Sequence, residues 1–301
     1  RRQRQMCIRD SITTGNRLNQ AFFLKEMSGG DALRALTPTG SLVDAYPMAD
    51  GRLIHESGST YDPKDPYRDR DPRLAQSIIY PTSTIRESKT MTWVLYDPES
   101  EKSIPGQRYD AKEPSSSGYV WKKYCDWSDH AMIQILDGGV DVIYFRYADV
   151  LLMHAEALLE TKGIAASSEI FAIINQLRDR CGGGRVTEAN YTSEDALRTL
   201  VRNERRVELA NEGLRFFDIR RWKVAEKTVA VSGEGMNGEV YGAFMRLDGV
   251  GATDRTVMVD GVPRRYVETY NFDPSKHYLF PIPSKDIDLT NGALSQNSGW
   301  D

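Results

Sequence analysis

Leu200–Trp222 reads LVRNERRVELANEGLRFFDIRRW. Written as a helix, this run sets Glu204, Glu208 and Glu212 on one line, at i, i+4 and i+8. Arg202 and Arg206, and less squarely Arg205, lie beside that line within ion-pair reach. Leu200, Val207, Ala210 and Leu214 fall near a second line suited to a buried stripe. Gly213 marks a point where the helix ends or bends, after which Phe216, Phe217 and Trp222 turn the run aromatic. The pattern predicts a structural ion-pair network of Arg202, Glu204, Arg206, Glu208, Glu212 and Arg215, with Arg220 or Arg221 reaching neighbouring helices.

The segments on either side give the helical context. In Tyr144–Glu160, YFRYADVLLMHAEALLE, residues Ala148, Leu151, Leu152, Ala155, Leu158 and Leu159 recur at helical period, and Gly163 stops the helix. Ser167-Ser168 is placed to cap a second helix with Ile170, Ile173, Ile174 and Leu177 as its apolar stripe, ending at Gly182–Gly184. Ser193 opens a third, with Glu194 and Asp195 at its positive end. Residues 147–226 thus read as four stacked helical pieces whose first pair has tetratricopeptide-like length and small-residue spacing.

The decisive run resembles the "ERRxELAxEGxRFFDxRRW" signature of the SusD/RagB family. Tyr144–Glu160 is similar to that family's "RYADVLLMYAEAL" helix, and Leu279–Trp300, LFPIPSKDIDLTNGALSQNSGW, to its terminal "PIPxxEIxxNPxLxQNPGW". Asp69–Leu74, DRDPRL, with Tyr46–Leu53 ahead of it, is a weaker echo. Asn291-Gly292 departs from the usual Asn-Pro, and Leu159 stands where Asn is frequent. The resemblance implies a mainly α fold of tetratricopeptide-like helical hairpins with long irregular loops and a few short strands. It also implies a surface lipoprotein of the outer membrane in Bacteroidota-like bacteria, binding an oligosaccharide and partnered with a SusC-like TonB-dependent transporter. Some members handle peptides or glycoproteins instead. The family's glycan sites are built mainly from loop aromatics, and no motif carries them over to particular positions.

Outside the helical region, 28–130 and 232–275 read as loop-rich excursions on the ligand side. Gly and Pro punctuate 28–72. Ser77–Tyr80, Met91–Tyr96 and Tyr119–Tyr124 read as short strands, and Asn19–Met27 as a strand or a helix end. Ser232–Pro263 reads as irregular, and the last forty residues as wrapping back over the helices. Trp93 and Tyr96 at the edge of a polar loop, and Trp121 and Trp127 after it, are candidate sugar-stacking rings. For Trp121 core packing is the favoured alternative.

Composition narrows the chemistry. A chain of 301 residues with 40% hydrophobic and 27% charged residues is ordinary for a globular domain, and a net charge of −4 disfavours a nucleic-acid partner. No run of eighteen apolar residues spans a membrane. Attachment is expected only through a lipid anchor on a missing N-terminal half. Arg1–Asp10, RRQRQMCIRD, is basic without an apolar core and back-translates into a sequencing-adapter string. Residues 1–11 are therefore expected to be a non-native tail ahead of a family-like region over 12–301, and Cys7 is not a lipidation site.

Cys7, Cys125 and Cys181 form no metal or redox spacing. His55, His130, His154 and His277 are scattered; His154, on an apolar helix, is expected in the core. No metal or other cofactor is expected. Calcium is the one ion considered, because Asp62, Asp65, Asp69 and Asp71 cluster, but the loop order is wrong and Arg68, Arg70 and Arg73 compete, so a solvated turn is favoured. No serine-hydrolase elbow or phosphate loop occurs. Arginines near Glu204, Glu208 and Glu212 would lower their pKa values and spoil a general acid. No catalytic residue is expected; a glycoside hydrolase with a helical accessory region, or a protein–protein scaffold, is the alternative.

Overall fold

The computed structural model describes residues 36–80, 84–87, 92–94, 107–108, 117–124, 143–227, 235–244 and 256–300. The expectations for Arg1–Asp10, Asn19–Met27, Tyr96, Cys125, Trp127 and His130 lie outside these residues.

The fold is mainly helical, of the tetratricopeptide-like kind. Helix α1 spans Gly40–Ala45, α2 Pro72–Ser77, α3 Tyr147–Lys162, α4 Ser167–Cys181, α5 Glu194–Glu208, α6 Arg215–Arg221 and α7 Ser284–Leu289. Helix α3 packs against both α4 and α5. Their shared core holds Leu152, Ala155 and Leu159 of α3, Ile170, Ile174 and Leu177 of α4, and Leu197, Leu200 and Val201 of α5. Those positions recur every three or four residues, so each helix gives one stripe to the interior.

The helix ends follow from local chemistry. Ser193 caps α5, its side chain accepting from the Ala196 N–H. At the end of α4, Gly182 takes the left-handed conformation (φ 74°) that a Cβ would oppose. Two expectations are corrected. A 3-10 turn over Gly163–Ala166 leads directly into α4, so neither Ser167 nor Ser168 caps it; the Ser168 hydroxyl donates to Glu188 instead. Helix α5 stops at Glu208, with Leu209 as its cap, so Glu212 lies beyond the helix, in a turn where Asn211 and Gly213 have positive φ.

Short strands complete the fold. β1 (Ile78–Ile79) pairs antiparallel with β5 (Val120–Trp121), where strands were expected. β2 (Thr84–Glu87), β3 (Thr92–Val94) and β4 (Gln107–Arg108) form a small mixed sheet. β6 (Gly238–Phe244), β8 (Val262–Tyr270) and β7 (Thr256–Val259) form an antiparallel sheet, where the sequence reading expected irregular structure. The signal was present: Asp260-Gly261, between Val259 and Val262, is a two-residue hairpin turn with φ of 50° and 76°.

A second core joins α1 to the strands and α5 through Val43, Tyr46, Leu74, Ile78, Tyr119, Trp121 and Val207. A third sets Ile219, Val224 and Ala225 against Phe272 and Tyr278, so the C-terminal stretch does fold back over α6. No helix among the described residues is long and apolar enough to cross a membrane.

Candidate functional site

Helix α5 is charged on two faces, and the faces do different work. On the inner face Glu204 is fully buried, a position that a carboxylate tolerates only when paired. Its two oxygens accept from Arg73 Nη1 at 2.6 Å and Arg178 Nε at 2.9 Å. Arg73 in turn is held by Asp71 at the start of α2, through Nε at 3.0 Å and Nη2 at 2.8 Å. Arg178 also donates to the carbonyls of Gly51 and Gly184, pinning a loop 127 residues away to the end of α4. Glu208 accepts from Arg73, Arg146 and Arg180. Glu212 accepts from Arg146 Nη2 at 2.7 Å and Lys123 Nζ at 2.6 Å.

The three glutamates are ion-paired to cations that lie off their own helix. They come from the residue ahead of α3, from α4, from α2 and from the segment after β5. Arg205 faces elsewhere, to Asp149 at 2.5 Å and Asp218 at 2.8 Å, while Arg221 bridges Asp218 and Glu156. Arg70, Asp71 and Arg73, expected in a solvated turn, are all buried; Arg70 donates to the carbonyls of Val43, Tyr46 and Pro66. The signal available was the density of arginines beside aspartates in a proline-bound loop, which suits an interior clamp as well as a solvated surface. Asp62 is engaged locally as well, accepting from the Lys64 N–H.

Electrostatics follow from this packing. Burial pushes the Glu204 carboxyl up, but Arg178 and Arg73 outweigh it and bring it down to about 2. Burial likewise raises Glu212, and Arg146 and Lys123 reverse the shift, leaving it below the usual range. Glu204 thus holds no proton near neutral pH, and a general acid must hold one.

The outer face of α5 lines a cavity. Thr199, Arg202, Asn203 and Arg206, at i, i+3, i+4 and i+7, share that side of the helix. Ser41 and Asp44 of α1, the turn Leu53–His55 and Arg215 line the same space. The space, counted out to its mouth, is about 530 Å³. Arg206 donates to the Ser41 hydroxyl at 2.8 Å and Asn203 to the Ala45 carbonyl at 2.8 Å. The guanidiniums of Arg202 and Arg215 lie 4.8 and 5.8 Å from the Trp222 ring centre. Asp44 accepts from the Tyr241 hydroxyl at 2.7 Å. Arg202, Arg206 and Arg215, named in the expected network, line this cavity.

Among the proposed stacking rings, Trp121 is 7% exposed and packs with Val43, Leu74 and Val207, its edge touching a second cavity beside Leu209 and Phe216. That is the core-packing role. Trp93 lies in β3, where the description covers the backbone alone. Sequence reading missed a group of tyrosines: Tyr67 and Tyr80 stack at 4.5 Å, the hydroxyls of Tyr67 and Tyr119 are 3.2 Å apart, and buried Arg264 donates to Tyr61. These residues are far apart in sequence and follow no period, so only the fold gathers them. His154 is exposed on the outer side of α3, contrary to its expected core position, because the core stripe passes through Leu152 and Ala155.

The chain matches the family model described as "SusD family" over residues 2–300. It is 30% identical over 169 residues to SusD-like protein P2 of Formosa agariphila, and 34% identical over 99 residues to SusD-like protein P38 of the same organism. The first alignment takes in 54% of this chain and 27% of that protein, the second 31% and 18%. A crystal structure of a SusD-like carbohydrate binding protein from Bacteroides fragilis superposes with a TM-score of 0.64 at 27% identity, covering 91% of this chain and 51% of that one. A further SusD-like protein from the same species shares the fold, with a TM-score of 0.62 at 24% identity over 99% of this chain and 53% of the other. The chain thus spans about half the length of these solved relatives, and about a quarter of the first curated one.

Proposed function

The chain belongs to the SusD family, and from that premise we propose that it is part of a non-catalytic oligosaccharide-binding protein of the outer-membrane surface. In this reading it captures a glycan and passes it to a SusC-like TonB-dependent transporter. In the same reading a lipid anchor tethers the whole protein to the membrane. The observation that carries the proposal is the state of the carboxylates on the most distinctive motif. Glu204, Glu208 and Glu212 are each met by two or more cations, which suits a clamp between packed elements, and the lowered carboxyls of Glu204 and Glu212 are unsuited to serve as a hydrolase's acid. The ligand class is supported by the Bacteroides fragilis relative, a SusD-like carbohydrate binding protein.

Capture then falls to loop-borne rings and to the polar cavity beside α5. Trp93 of β3, Tyr96 and Trp127 remain the proposed stacking residues. Electrophoresis through gels containing a panel of polysaccharides tests the proposal. Retardation with no release of reducing ends is expected; release of reducing ends would replace the binder by an enzyme. Co-purification with a barrel transporter encoded alongside it tests the partner.

A further inference from the structure

The sequence holds two Asn-Gly pairs, Asn237-Gly238 and Asn291-Gly292, and the fold treats them differently. We propose that Asn291 is a site of spontaneous deamidation, and that the fold shields Asn237 from the same reaction. The chemistry is internal to the chain. The backbone nitrogen of the following residue attacks the carbonyl carbon of the asparagine side chain. A new C–N bond closes a five-membered imide, and ammonia leaves with the proton of the attacking amide. Water then opens the ring at either carbonyl, giving aspartate or isoaspartate. Glycine favours this course because it has no Cβ to crowd its nitrogen.

Asn291 and Gly292 are the central residues of a turn that follows α7, closed by the Ala293 N–H donating to the Thr290 carbonyl at 3.1 Å. Both have positive φ, 51° and 83°, the mark of the type I′ turn that Asn-Gly suits. Both are exposed, and open space surrounds the position that a Cβ on Gly292 would take. Among the described residues nothing hydrogen-bonds to the Asn291 carboxamide or to the Gly292 N–H, so neither reacting group is tied down.

Asn237 is placed otherwise. Its side-chain nitrogen donates to the carbonyls of Glu226 at 2.8 Å and Phe272 at 3.1 Å, and its oxygen accepts from the Phe272 N–H. Gly238 begins β6, paired with Tyr270 of β8. Ring closure there would have to break all three side-chain hydrogen bonds at the end of a sheet. The family pattern has proline where Gly292 stands, and proline has no N–H to attack with. This departure opens a route that the pattern closes.

Incubation of the full chain at physiological temperature and mildly alkaline pH, followed by peptide mapping with mass spectrometry, tests the proposal. In the folded chain, conversion at Asn291 is expected to run at least ten-fold faster than at Asn237. It should yield both aspartate and isoaspartate, and should accelerate as pH rises, because the attacking nitrogen must shed its proton. In urea, where the shielding is gone, the two rates should converge. Asn291→Gln, whose longer side chain would need a six-membered ring, should remove the modification while circular dichroism shows the fold unchanged. Equal rates at the two sites in the folded chain, or faster conversion at Asn237, would overturn the proposal. So would an Asn291 that stays intact in the folded chain and converts only in urea.

Discussion

Replacing Glu204 by Gln would leave Arg73 and Arg178 facing each other in the interior with half their compensation gone. Breaking a buried pair in this way costs about 3–5 kcal/mol, because the surviving charge stays desolvated. Urea denaturation should show a loss of that order for E204Q, whereas a loss under about 1 kcal/mol would mean the clamp is slack. The same carboxyl makes a prediction in pH. Its folded-state value, about 2, lies below its ordinary 4.5. Its stabilisation is therefore complete above about pH 4.5 and is lost as pH falls toward 2. Unfolding midpoints between pH 2 and 4.5 should drop in the wild type and drop less steeply in E204Q.

Two glycines after α4 separate backbone conformation from packing at the scale of an element. Gly182 has φ of 74° with open space around it, so Gly182→Ala costs only the left-handed penalty, about 1 kcal/mol. Gly184 sits against the backbone of Asp50 and Gly51, where a methyl group has no room, and G184A should cost about 3 kcal/mol. Thermal melts that reversed this order would contradict the close approach of the loop to α4. The helical elements were legible in advance because their apolar residues recur with a fixed period and their ends carry Ser193, Gly163 and Gly182. The sheet β6–β8–β7 was missed for want of weight given to Asp260-Gly261, a turn signal as local as any helix cap. The partners of the glutamates were not legible at all. Arg73, Arg146 and Arg178 are 131, 62 and 26 residues from the acids they meet, and no spacing rule spans a tertiary contact. The cavity beside α5 was half visible: the 199, 202, 203, 206 period is plain in the sequence, but not which side of the helix would be enclosed.

Over the whole molecule, apolar side chains remain on the surface in concentrated places. Tyr147, Val150 and Met153 line the outer side of α3, and Phe217, Phe280 and Leu289 stand on α6 and the C-terminal stretch. Exposed apolar side chains gathered on a few elements favour association. Sedimentation of the 301-residue chain should show concentration-dependent self-association, reduced by Val150→Lys with Met153→Glu; a monomer at all concentrations would refute it.

The bond between Arg73 and Glu204 also sets an order in time. Synthesis of the intervening 131 residues, at about 5–20 residues per second, takes on the order of ten seconds. Throughout that interval Arg73 has Asp71 beside it but neither Glu204 nor Glu208, so the clamp closes only after α5 has left the ribosome. A translational pause placed between the two would lengthen the window in which the unfinished interior is open to proteases and to other nascent chains.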